Sequence, residues 1–199
     1  MNLAGRIDAV VIGASAGGIE ALSVLLPALS RGLRPPVFIV LHLPRDRPSI
    51  LADIFAQKCV VPVREAEDKE MVTSGTVYFA PSDYHLLVDQ GPQLALSADE
   101  PVHHSRPSVD VLFESAADIY EDRLLGIILT GANEDGASGL AAVHDAGGVT
   151  IVQRPDTARA PHMALSALKL RPADWVLTLN EIAGMLQTLD ANSTSMRTS

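Results

Sequence analysis

The sequence predicts an α/β fold with a mostly parallel, doubly wound sheet, helices on both faces and an inserted antiparallel portion. Along most of the chain, short apolar runs alternate with amphipathic segments, as they do in βαβ units. In the middle the pattern changes, because short strands are separated by turns that are too brief for parallel crossovers. Those turns predict antiparallel hairpins.

The first part of the chain contains strands and helices in alternation. Three short apolar runs predict buried strands over residues 8–13, 37–41 and 60–63. Between them, apolar side chains at helical spacing predict helices over residues 18–30 and 50–58. Ser49 is suitable as the N-cap of the second helix.

The rest of the chain repeats this alternation after the central hairpins. The hairpin strands are predicted over residues 76–80, 85–89 and 93–97. A polar loop over residues 98–108 follows. Beyond it, strands are predicted over residues 124–129, 149–152 and 175–179, and helices over 109–120, 137–146, 159–170 and 180–190. Asn180 is the expected N-cap of the last helix. We expect one domain over residues 1–191 and a disordered tail over 192–199.

Composition excludes several classes of protein. The 199 residues are 47% hydrophobic and carry a net charge of −9, which argues against nucleic acid as a partner. No run of about 18 apolar residues and no cleavable leader is evident, so we expect no membrane insertion. The single cysteine, Cys59, excludes a disulfide framework and a cysteine-rich zinc site. These features suit a cytoplasmic protein.

The turn after the first strand is rich in glycine and carries a serine. The segment Gly13–Gly18 joins a strand to a helix, and its first five residues fit G-x-S-x-G. Such a turn can bind a phosphate at the helix N-terminus, or it can expose Ser15 as a nucleophile. It can also be a tight turn with a passive serine, and these residues alone leave the three alternatives open.

A serine nucleophile needs a base and a group that orients the base. Ligands of parallel sheets bind beyond the carboxyl ends of the strands, and His42 ends the strand that follows the Ser15 strand. Asp135 lies in the loop TGANEDG at another strand end and could orient His42, or it could simply cap the next helix. Glu134 is the more solvated neighbour. The order Ser15, His42, Asp135 excludes α/β-hydrolases, in which the histidine comes last.

Five blocks of the sequence are informative together: VVIGASAGGIEAL, HLPRDRPSILADIF, REAEDKEMVTSGTVYFAPSDYHLLV, HHSRPSVDVLFESAA and GIILTGANEDGASGL. In this order, from about residue 7 to about residue 189, they resemble the catalytic domain of CheB-type chemotaxis protein-glutamate methylesterases. It implies hydrolysis of glutamate methyl esters on the cytoplasmic domains of chemoreceptors, often with deamidation of glutamines. It also implies a three-layer αβα fold with about seven parallel strands and a hairpin, and a catalytic triad of Ser15, His42 and Asp135.

Further residues are assigned to the site as expectations. The Ala16 amide, at a helix N-terminus, is the first candidate oxyanion donor, and the Ala132 amide is the second. Arg106 and the turn at 81–84 are expected to line the substrate site. The chemistry requires no cofactor and no metal ion.

Three departures from the family pattern affect these expectations. The family loop commonly reads GMGxDGA, whereas residues 131–137 read GANEDGA, and residues 161–164 read PHMA where Gly-Met-Pro is usual. Full-length members also carry an N-terminal receiver domain, whereas few residues precede the first strand here. We therefore expect no control of this chain by an attached receiver. Two alternatives stay open: a non-catalytic signalling module of this type, and a nucleotide-binding module that uses the glycine-rich turn.

Overall fold

A computed structural model of the chain describes Leu3, residues 5–42 and residues 50–189. Its main feature is a seven-stranded sheet, entirely parallel, in the order β3-β4-β2-β1-β7-β8-β9. Its strands are β1 (Ala9–Ala14), β2 (Val37–Leu41), β3 (Val63–Glu65), β4 (Val77–Phe79), β7 (Leu124–Ile128), β8 (Val149–Gln153) and β9 (Trp175–Leu177). A separate antiparallel hairpin consists of β5 (His85–Asp89) and β6 (Gln93–Ser97). The predicted fold class is confirmed.

Helices cover both faces of the sheet. They are α1 (Gly18–Leu25), α2 (Leu51–Ala56), α3 (Val109–Tyr120), α4 (Ala137–Asp145), α5 (His162–Leu170) and α6 (Leu179–Gln187). Along β1, Val10 and Ile12 face the core shared with α1, α2 and α6, whereas Ala9 and Val11 face the core shared with α3, α4, α5 and the hairpin. This alternation is the two-residue period of a strand that is buried on both sides. None of the described helices is long and apolar enough to cross a membrane.

The structure corrects the prediction that residues 76–80 belong to an antiparallel hairpin. β4 is fully buried and pairs in parallel with both β2 and β3. The short connection after β4 leads out of the main sheet to β5, so it has no need to span a crossover. Only β5 and β6 form the expected hairpin.

Several predicted boundaries are also wrong. The third strand begins at Val63 rather than at residue 60, and the first helix ends at Leu25, where a 3₁₀ turn containing Pro27 follows. Thr178, not Asn180, is the N-cap of α6, because its hydroxyl accepts from the Glu181 amide while the Glu181 carboxylate accepts from the Thr178 amide. The predicted Ser49 cap and the predicted tail over 192–199 lie outside the described residues.

Candidate active site

Three adjacent strands bring the predicted site residues to one edge of the sheet. Ser15 directly follows β1 and His42 directly follows β2, and the His42 amide continues their parallel ladder by donating to the Ala14 carbonyl at 3.0 Å. On the other side of β1, the Ser15 amide donates to the Thr130 carbonyl at 2.9 Å. Thr130 opens the loop that contains Asp135. The prediction that these stretches meet at the carboxyl ends of the strands is confirmed.

The turn that carries Ser15 is held by the loop after β7. Gly17 has a φ of 84°, a conformation that favours glycine, and it precedes α1 directly. The Thr130 hydroxyl donates to the Ala16 carbonyl at 2.8 Å and accepts from the Ala160 amide at 2.9 Å. The bond to Ala16 and the Ser15 amide bond fix the turn to Thr130, and the Ala160 bond connects Thr130 to the segment before α5. Among the described residues no hydrogen bond joins the Ser15 hydroxyl to His42, and such catalytic bonds commonly tighten only with substrate bound.

His42 and Asp135 form a direct hydrogen bond. The distance from His42 Nε2 to Asp135 Oδ2 is 2.8 Å, and the two side chains are 12% and 0% exposed. Because an ionised carboxylate can only accept, Nε2 carries the proton in this contact. In the neutral ring the other nitrogen, Nδ1, therefore keeps its lone pair, which lies 3.4 Å from Asn133 Nδ2 and can act as a base.

The Asp135 carboxylate is enclosed by donors from the start of α3. Its Oδ2 accepts from the Val109 amide at 2.7 Å, and its Oδ1 accepts from the Ser108 hydroxyl at 2.7 Å and the Asp110 amide at 3.1 Å. Burial opposes ionisation of this group, but the bonds from His42, the two amides and Ser108 outweigh it and hold the pKa of Asp135 below its ordinary value. Asp135 is thus a fixed anion behind the imidazole.

Asp110 is a second buried carboxyl in the same region. Burial is the main cause that raises its pKa to about 6, and the charges of Asp135 and Glu114 also raise it. The hydrogen bond from the Gly139 amide and the charge of His103 lower the pKa, but by less. His103 lies 3.4 Å from Asp110 and 3.4 Å from Glu134. Glu134 is 64% exposed, in agreement with its expected solvation.

A buried histidine supports the donors of Asp135 from the hairpin side. His85, which is 2% exposed, accepts from the Ser108 amide through Nδ1 at 3.2 Å, so its Nε2–H donates to the Glu100 carbonyl at 3.2 Å. Ser108 is also the N-cap of α3. The chain of bonds therefore runs from the loop after the hairpin through His85 and Ser108 to Asp135.

The two candidate oxyanion donors lie at the same edge as Ser15. Ala16 and Ala132 are both exposed, and within the described part of the chain neither amide donates a hydrogen bond. An unpaired amide at this position can donate a hydrogen bond to an oxygen that develops negative charge. Among the described residues, no group of three or more His, Cys, Asp or Glu side chains is arranged to hold a metal ion.

Arg106, which was expected to line the substrate site, makes hydrogen bonds within the protein itself. Its Nε and Nη2 donate to Asp83 Oδ1 at 3.0 and 2.8 Å, and its Nη1 donates to the carbonyls of Ala98 and Asp99 at 2.7 and 2.9 Å. The side chain thus connects the turn at 81–84 to the loop before α3. Most of the guanidinium donors are used in this connection.

Sequence reasoning missed Ser108, Thr130 and Asn133. Ser108 precedes an amphipathic helix and could have been identified as an N-cap, which is a local signal. Asn133 Nδ2 lies 3.4 Å from His42 Nδ1, and no local pattern indicates this contact between residues far apart in the chain. Thr130 likewise acts on residues of two distant segments.

The chain is similar to proteins of a known family. The model of the CheB methylesterase family matches residues 10–186. A Clostridium acetobutylicum protein named protein-glutamate methylesterase/protein-glutamine glutaminase is 36% identical over 177 residues, which cover 89% of this chain and 51% of that protein. A Leptospira interrogans protein, to which the same name is given provisionally, is 44% identical over 190 residues. The match covers 96% of this chain and 98% of that protein.

A solved structure shares the fold of the chain. The crystal structure of the Thermotoga maritima CheB methylesterase catalytic domain superposes with a TM-score of 0.86 at 33% identity, covering 91% of this chain and 97% of that one. These comparisons do not favour a nucleotide-binding module.

Proposed function

The chain belongs to the CheB methylesterase family, and from this membership we propose that it hydrolyses the methyl esters of glutamate side chains on chemoreceptors. The names of its relatives support a second reaction at the same site, the deamidation of receptor glutamines. The partners are then the methylated cytoplasmic domains of chemoreceptors, and the protein acts in the cytoplasm.

In the first half of the reaction the enzyme is acylated. Ser15 Oγ attacks the ester carbonyl while its proton passes to Nδ1 of His42, the nitrogen that the Asp135 bond leaves unprotonated. The Ala16 and Ala132 amides stabilise the negative charge on the carbonyl oxygen. His42 then gives the proton to the departing methoxide, so methanol leaves and a glutamyl ester of Ser15 remains.

In the second half a water molecule takes the place of methanol. His42 accepts a proton from the water as it attacks the acyl group, and returns that proton to Ser15 Oγ as the carbon–oxygen bond breaks. The products are a glutamate carboxylate and free Ser15. With a glutamine substrate the same steps release ammonia in the first half.

The observation that carries this proposal is the 2.8 Å bond between His42 and Asp135, at strand ends that adjoin Ser15. A buried carboxylate that orients a histidine beside a half-buried strand-to-helix serine is the arrangement that acyl transfer requires. It argues against a non-catalytic module, because capping of α3 does not require the bond from Asp135 to His42.

Methanol release from a methylated receptor tests the proposal. Wild-type protein should release methanol, and Ser15→Ala should lose on the order of 10⁶-fold in kcat, because the nucleophile is gone while the fold is unaltered. Ser23→Ala, which removes a hydroxyl within α1, is the matched control and should retain activity.

Comparable methanol release by Ser15→Ala and wild type would exclude Ser15 as the nucleophile. A wild-type protein that releases neither methanol nor ammonia from receptors would support the non-catalytic module. Thermal stabilisation of such a protein by a nucleotide would support the nucleotide-binding module.

A further inference from the structure

The half-buried side chain of Asn133, in the loop after β7, lies beside the His42 ring. Its Nδ2 lies 3.4 Å from His42 Nδ1 and donates to Ser105 Oγ at 3.3 Å. Its Oδ1 is buried and, among the described residues, has no hydrogen-bond partner. A buried carbonyl oxygen without a donor is costly and rare, so this one calls for an explanation.

The explanation lies in the nitrogen that Asn133 faces. Because Asp135 holds the proton on Nε2, Nδ1 of His42 is the atom that changes protonation during the proposed reaction. In the resting ring Nδ1 carries a lone pair and accepts an N–H donor. Once it has taken a proton it becomes a donor and needs an acceptor.

A carboxamide can match both states of the ring. Its terminal torsion is soft, and a half-turn exchanges Nδ2 for Oδ1 at nearly the same position. Each orientation leaves one end of the amide unpaired, so the protonation state of Nδ1 decides which orientation is favoured. The oxygen that is unpaired in the resting state is the acceptor needed after proton transfer.

We propose that Asn133 is a positioning residue for His42, whose carboxamide donates to Nδ1 in the neutral ring and accepts from it in the protonated ring. The resembling family pattern has glycine at this place in the loop, and glycine offers no such side chain. The contact between a carboxamide and His42 is therefore a feature of this chain and not of the family pattern. Its kinetic consequence rests on the proposed function, but the contact with the ring does not.

Histidine-ring NMR tests the contact without requiring activity. In ¹⁵N-labelled protein, the wild-type His42 ring should show the Nε2–H tautomer, with its signals assigned by their loss in His42→Gln. Asn133→Asp puts an anion that can only accept beside Nδ1, so the titration midpoint of this ring should rise by about one pH unit or more. Among the described residues, the titratable group that contacts the ring is Asp135, and His103 with its partners Asp110 and Glu134 forms the adjoining titratable cluster. This substitution changes none of them.

The matched control is Gln153→Leu. Gln153 also has a buried side-chain oxygen without a partner among the described residues, but its amide nitrogen bonds the Thr157 carbonyl instead of a histidine. The His42 midpoint should not move in this variant. An equal midpoint in wild type and Asn133→Asp would overturn the proposal.

Kinetics on methylated receptor provides the second arm. Asn133→Ala removes both hydrogen-bonding ends without adding bulk, so kcat should fall about tenfold through misplacement of the ring, while KM stays within about twofold. An unchanged kcat would overturn the positioning role. If wild type itself releases no methanol, the proposed function fails, and the NMR arm still decides the contact.

Discussion

Asp135 and Asp110 cap each other's helices. Asp135, which precedes α4, accepts from the amides of Val109 and Asp110 at the start of α3, whereas Asp110, in the first turn of α3, accepts from the Gly136 amide at 2.9 Å and the Gly139 amide at 2.6 Å at the start of α4. Each carboxylate thus lies at the positive end of the other helix. This exchange fixes the anion that orients His42.

Asp135→Asn should fold but lose on the order of 10⁴-fold in kcat, the loss that the same change causes in the serine-protease triad. The amide cannot accept from His42 and from the α3 amides at once as the carboxylate does. Methanol release from methylated receptor measures the effect. Glu134→Gln is the adjacent control and should stay within a few-fold of wild type, because Glu134 is largely exposed. The reverse result would assign the orienting role to Glu134.

Asp110 should make the protein less stable as pH rises from about 4 to about 6. Its folded-state pKa is raised to about 6 from an ordinary value of 3.8, so the folded state binds more protons than the unfolded state between these values. The stabilising contribution of the protonated group is therefore full below about pH 3.8 and is lost as pH rises through about 6.

Asp110→Asn removes this titration and should flatten the pH dependence of the free energy of unfolding by about 1–3 kcal/mol over that range. Denaturant unfolding of both proteins at several pH values from 4 to 6.5 is the measurement. Asp135, whose pKa is lowered, acts in the opposite direction and below this range, since its contribution is lost only as pH falls below about 4. Parallel curves for the two proteins would show that Asp110 does not titrate there.

Arg106 and Asp83 should behave alike when either is removed. Because Arg106 connects the turn at 81–84 to the loop before α3, Arg106→Ala and Asp83→Ala should each lower the free energy of unfolding by about 1 kcal/mol, with similar effects on KM. Thermal unfolding and receptor kinetics on both variants provide the comparison. A large increase in KM in Arg106→Ala alone would instead favour the substrate-lining role predicted from the sequence.

Replacement of two glycines by alanine should change the free energy of unfolding in opposite directions. Gly136 has a φ of 100°, and a Cβ there would lie 2.6 Å from Ile128 Cδ1 and 2.7 Å from Val109 Cγ1, so Gly136→Ala should cost at least about 2 kcal/mol of stability. Gly184 is exposed within α6 and a Cβ would meet nothing within 4 Å, so Gly184→Ala should add up to about 1 kcal/mol. Denaturant unfolding measures both, and a neutral Gly136→Ala would show that the turn relaxes freely.

The sequence by itself determined the α/β class and the edge of the sheet where chemistry is expected. Short apolar runs predict the buried strands. Because the carboxyl ends of parallel strands lie at one edge of the sheet, the sequence could also predict that Ser15 and His42 lie close together. The same reasoning failed for β4, because turn length alone does not show whether the next strand joins the same sheet. Thr178 and Asn180 are both good caps, and only the bond to Glu181 distinguishes them.

Only the tertiary structure decided what holds the orienting carboxylate. The sequence allowed Asp135 to cap the helix that follows it, but the structure directs its carboxylate to α3 and to His42, which is 93 residues away. Asn133 contacts the same histidine from 91 residues away. Such contacts arise because packing brings distant loops together over the ends of the strands, and neither helix periodicity nor turn chemistry encodes the direction of a side chain across that gap.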